Sequence, residues 1–158
     1  METIELTVYK KDVYAEVAKA TDYTGAKLTG DDNARDRILA TDADLSELGR
    51  FWDEAVQSVN ERLRQMLVSG STQLKQAEDG SLETAYVSTL EVSKSYDKNL
   101  NGSVQSGLRN FFIYFIIGQW FKFANKGEAA DYFASAGEEI TSAERLLYSR
   151  KRPTRPSL

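Results

Sequence analysis

The run NFFIYFIIGQWFKF, Asn110 to Phe123, constrains this chain most. Seven of the thirteen residues from Phe111 to Phe123 are aromatic. On a helix, Val104, Leu108, Phe111, Phe112 and Phe115 share one face, and Ile113, Ile116, Ile117, Trp120 and Phe123 share a second. A helix that is apolar nearly all round must be buried on all sides, in a protein core or in a bilayer. The bilayer reading fails on length. The uninterrupted apolar run is only Phe111 to Ile117, bracketed by Arg109, Gln119 and Lys122. A spanning helix needs roughly 20 mostly apolar residues, and each Lys or Arg at mid-bilayer costs about 2.5–3.5 kcal/mol. The segment is therefore expected to be the central helix, about Ser103 to Ala124, of a water-soluble core. Two readings of its aromatic surface stay open. Either all of it is core, or Tyr114, Trp120 and Phe121 pack against a neighbouring subunit, since Tyr, Trp and Phe are enriched at interface centres.

The remaining elements are arranged around that helix. Ile4, Leu6 and Val8 alternate with Thr3, Glu5 and Thr7, the pattern of a half-buried strand. Asp12 is placed to cap a short helix that Gly25 stops, and GDDNA (30–34) reads as a loop. A longer helix starts at Thr41 or Asp42. Its stripe is Leu45, Leu48, Trp52, Ala55, Val56, Val59, Leu63, Met66 and Leu67, and Ser69-Gly70-Ser71 ends it. Asp79-Gly80 is a two-residue hairpin signal. The following TAYVSTLEV reads as a strand in preference to a helix, because Thr, Val, Tyr and Ser dominate it. Asn101 or Asn99 is expected to cap the central helix. After it, NKGE leads into a helix from Glu128 to about Ser149, whose Ala129, Ala130, Ala134, Ala136 and Gly137 permit close approach. The fold class expected is mainly α with a small β element: a bundle of about four helices plus a β-hairpin around 72–95. Residues 1–149 make a single domain and 150–158 a basic tail closed by Pro153 and Pro156.

Composition excludes much chemistry. The 158 residues include no His and no Cys, so disulfides, thiol nucleophiles, His bases and His- or thiolate-ligated metals are ruled out. The adjacent pairs Glu138-Glu139 and Asp31-Asp32 do not face each other on a helix. The GAKLTG run (25–30) lacks the Gly-Lys-Ser/Thr ending of a phosphate loop, because Asp31 follows. No catalytic, cofactor-binding or metal-binding residue emerges, and the chain reads as a non-enzyme without a cofactor. The N-terminus carries no basic segment followed by an apolar stretch, so no signal peptide is expected.

Charge is unevenly placed. The chain sums to −4, yet Arg145, Arg150, Lys151, Arg152 and Arg155 follow Glu144 with no acid among them, so residues 1–144 carry −9. The helix dipole accounts for basic residues in a last turn. It does not account for SRKRPTRPSL beyond the helix. That tail docks into an acidic groove on another protein, contacts nucleic-acid phosphates, or is a solvated end. Deleting Arg150 to Leu158 is expected to abolish docking and leave thermal stability unchanged.

The order of elements, with the segments DVYAEVAKATDYTGAKL, GRFWDEAV, GLRNFFIYFIIGQWFKFANKGEAADYFASA and YSRKRPTR, resembles the small head–tail connector (adaptor) proteins of tailed bacteriophages and prophages. The resemblance implies a ring-forming structural subunit beneath the portal. It would bind portal and tail proteins, let DNA pass through a channel without specific binding, and be carried in the virion after assembly in the bacterial cytoplasm. No membrane is implied. Of the family's functional features, only the basic end is carried over, as Arg150, Lys151, Arg152 and Arg155. The alternative is a helical protein-interaction module whose basic C-terminal tail docks on a partner.

Overall fold

The computed structural model describes residues 1–27 and 45–151, with the side chains of 22–27, 123 and 124 left out of the description. The order is β1 (Glu2–Tyr9), α1 (Lys10–Lys27), α2 (Leu45–Arg62), β2 (Leu67–Gln76), β3 (Leu82–Val92), a 3-10 turn (Lys98–Leu100), α3 (Asn101–Ala124) and α4 (Lys126–Tyr148). The chain is mainly α with a small β element, as its sequence implies. The GDDNA loop, Asp31-Asp32 and the expected helix start at Thr41 or Asp42 lie outside the described residues.

The sheet has the order β1-β3-β2, antiparallel throughout. The β-hairpin expected around 72–95 is thus β2 and β3, and β1 adds a third strand. Its register sets Ile4 against Leu90, Leu6 against Ser88 and Val8 against Tyr86, so the apolar side of the alternation meets the helices. The opposite face carries Glu5, Thr7, Gln73, Lys75 and Glu83, together with Ala85 and Val87, which are buried. The hairpin turn differs from the two-residue form. Gly80 N donates to Ala77 O at 3.0 Å and Ala77 N to Ser81 O at 2.8 Å, while Gly80 has φ +84°. This is a three-residue loop, Glu78-Asp79-Gly80, in which the left-handed residue must be glycine at low cost. Asp79 Oδ1 accepts from Ser81 N and Oγ, which tightens the loop.

Four helix ends also differ from the sequence expectation. α1 begins at Lys10 with no loop after β1 and runs through Gly25 to Lys27; a single helical Gly costs only about 1 kcal/mol. α2 stops at Arg62, although Leu63 and Met66 continue its apolar spacing. Both stay buried because a turn holds them, with Leu63 N on Val59 O at 2.9 Å and Met66 N on Leu63 O at 3.0 Å. Ser69-Gly70-Ser71 therefore lies inside β2. Neither Asn99 nor Asn101 caps α3. Asp97 accepts from Asn99 N at 3.0 Å to start the 3-10 turn, and Asn101 Oδ1 accepts from the Tyr96 hydroxyl at 2.7 Å.

α3 is the centre of the molecule. Phe112 is fully buried, with its ring 4.7 Å from Trp52 of α2 and 5.4 Å from Tyr86 of β3. Trp52 is itself buried, and its Nε1 donates to Thr72 Oγ1 at 3.0 Å. On the other side of α3 lies α4, joined through Asn125 alone. Asn125 N donates to Phe121 O, and Asn125 Oδ1 accepts from Glu128 N, so one residue ends one helix and starts the next. Of the small residues on α4, Ala129, Ala136 and Ala143 are buried, whereas Ala130, Ala134 and Gly137 are exposed. With Phe133, Ile140 and Leu147 they make steps of four and three, the seam of a closely packed helix pair. α3 answers with glycines. A Cβ at Gly107 would meet Ala143 Cβ at 3.2 Å, and one at Gly118 would meet the Phe133 ring at 2.9 Å. Gly118→Leu should force the helices apart and cost about 1–3 kcal/mol, read as a shifted denaturant midpoint.

A partly buried polar relay links α2 to the sheet. The Tyr86 hydroxyl donates to Asn60 Oδ1 at 2.6 Å, and Asn60 Nδ2 donates to Gly70 O at 3.0 Å. Gly70 leaves room for it, since a Cβ there would lie 2.4 Å from Asn60 Oδ1. Burial pushes the Tyr86 pKa up from 10.0 to about 12. Burial, helped by Asp53, pushes Tyr14 up to about 12 as well. The folded protein thus keeps phenolic protons that the unfolded chain loses. Stability is complete below pH about 10 and should fall between about 10 and 12, by about 1.4 kcal/mol per pH unit from Tyr86. Urea midpoints across that range check this, and Tyr86→Phe should flatten the slope.

Candidate interaction surfaces

The three aromatics proposed as subunit contacts have different fates. Phe121 is fully buried, stacked on Tyr132 with ring centroids 5.6 Å apart and planes 22° apart. It is held inside its own chain by α4 and offers nothing to a neighbour, which corrects the expectation for that residue. Tyr114 is half-buried beside Tyr132, ring centroids 6.3 Å apart, and Trp120 is half-buried. Phe121 and Trp120 are adjacent, so they point about 100° apart on the helix.

Two other surfaces are open, a groove of mixed polarity and the hairpin. Between α2 and α4 a groove of about 640 Å³ runs over Phe111, Phe115 and Phe133. Glu61, Arg64 and Gln65 form one wall, and Gly137, Ile140 and Tyr148 the other. Arg62 crosses it, bonding Glu144 Oε2 at 2.6 Å and Thr141 Oγ1 at 3.0 Å, and the Tyr148 hydroxyl donates to Gln65 Oε1 at 3.3 Å. On the hairpin, Leu74 and Leu82 are 69% and 68% exposed, and Val68, at a register shift in β2, is 59% exposed. Neither surface is marked in the residue pattern, because its residues belong to patterns that also describe a core.

At the basic end, Arg150 and Lys151 are exposed, and Arg152 and Arg155 lie outside the described residues. Neither Arg150 nor Lys151 forms an ion pair among the described residues. Their backbone is held, however: Lys151 N donates to Ser95 O at 2.7 Å, in the loop between β3 and α3. Sequence reasoning missed this contact.

Among the described residues no three acidic side chains converge where they could hold a metal ion, and no helix is long and apolar enough to cross a membrane. Comparison with protein-family models, with curated proteins and with solved structures finds no match to this chain.

Proposed function

We propose that the chain is a non-enzymatic structural subunit of a tailed phage or prophage, an adaptor that oligomerises at the junction of portal and tail. The observation that carries this reading is the separation of charge. An acidic body of −9 bears, at one end, Arg150 and Lys151, exposed and without ion-pair partners among the described residues. Such an end suits an acidic surface on the ring above, and an acidic body suits a channel through which DNA slides without adhering. The resemblance of the chain's segments to connector proteins supports the same reading. The aromatic-floored groove and the half-buried Tyr114 and Trp120 are available as lateral contacts between subunits.

Electron microscopy of the protein mixed with the portal assembly of its own genome tests the proposal. An added ring of density beneath the portal is expected. Absence of any association with portal or tail proteins at high concentration would overturn it.

A further inference from the structure

The tail is not the whole of the basic end. The hydrogen bond from Lys151 N to Ser95 O joins two segments far apart in sequence. Before it, Ser149 N and Oγ both donate to Leu146 O, at 3.1 and 2.7 Å, so the backbone leaving α4 is fixed as far as Lys151. This brings the main chain at Lys94, the neighbour of Ser95, close to the main chain at Lys151. All three are exposed, and none has an ion-pair partner among the described residues. Lys98 of the same loop is different, because Glu2 holds it at 3.4 Å. The acids nearest in sequence are Glu91, exposed at the end of β3, and Asp97, whose carboxylate is engaged with Asn99 N.

We infer that Lys94, Arg150 and Lys151 form one cationic corner that docks a cluster of carboxylates on a partner protein. The inference deepens the proposed function by assigning residues to its docking end. Cations already fixed on a held backbone lose less freedom on binding than those of a free tail. Arg and Lys donors make their strongest hydrogen bonds to ionised oxygens. A compact acidic surface can engage the corner alone. A DNA duplex, with a phosphate every ~1.7 Å of axis, would extend past it over a body of the same sign.

The test uses the full chain and no portal, so that it and the proposed function can fail separately. The probes are a fluorescein-labelled polyglutamate peptide and a labelled DNA duplex, read by anisotropy at low salt. Polyglutamate should bind. Lys94→Glu and Arg150→Glu should each weaken it about fivefold or more. The charge-neutral double replacement Glu2→Gln with Lys98→Gln should leave it unchanged. Melting curves should stay the same, since every altered side chain is at the surface. Three results would overturn the inference: no binding of polyglutamate; Lys94→Glu equal to wild type while Arg150→Glu weakens, which makes the tail act alone; or tighter binding of the duplex, which makes the corner a nucleic-acid surface.

Discussion

Replacing Phe112 by alanine should destabilise the fold by about 3–5 kcal/mol, the range for truncating a buried Phe. For a chain of this size that lowers the melting temperature by roughly 6–20 °C. Three elements meet at this ring. Trp52 brings α2, Tyr86 brings β3, and Phe111 packs edge-on within α3 at 6.1 Å. Removing it opens a cavity among side chains that are each anchored elsewhere: Trp52 by Thr72 and Tyr86 by Asn60. They cannot collapse inward without giving up those hydrogen bonds, which places the cost toward the upper end. Phe115 is only half-buried at the groove, so Phe115→Ala should cost clearly less. Denaturant unfolding of both variants checks the ranking. A Phe112→Ala loss below about 1 kcal/mol would mean that α3 is not the centre of the core.

Ending the chain at Ser149 should abolish docking on the acidic partner while leaving the fold intact. The truncation removes Arg150, Lys151, Arg152 and Arg155 and takes the net charge from −4 to −8. It also removes the hydrogen bond to Ser95 O, so stability should fall slightly. A typical hydrogen bond contributes about 0.5–1.5 kcal/mol, which here means a few degrees in melting temperature. The sequence alone implied no change. The backbone contact revises that expectation. Pull-down with the portal assembly and a parallel thermal melt separate the two effects. A large loss of stability would make the segment a structural strap, and retained docking would move the contact to another surface.

The parts of this fold that could be read from the residues are those in which side-chain type repeats with a period. Ile4, Leu6 and Val8 announce β1, and the all-round apolar run announces α3. The helix pair was readable from the small residues of α4, but not which of them face inward. The spacing of seven from Ala129 to Ala136 to Ala143 marks the seam, and Gly107 and Gly118 are its counterpart on α3. What could not be read depends on backbone or on tertiary choice. The end of α2 is invisible because Leu63 and Met66 keep the helical period while a turn holds them. The burial of Phe121 depends on where Tyr132 lies, and no local pattern fixes that. The Ser95–Lys151 bond joins two main-chain groups and leaves no mark on residue type. For the same reason no residue pattern joins Lys94 to the basic end; only the fold does.

Amide hydrogen exchange of the protein, free and bound to the portal assembly, addresses the cationic corner directly. Exchange should slow together at residues 93–98 and 148–151, two stretches linked only through the fold. Unchanged exchange at both, with protection appearing instead along the groove between α2 and α4 or along the hairpin β2–β3, would contradict it.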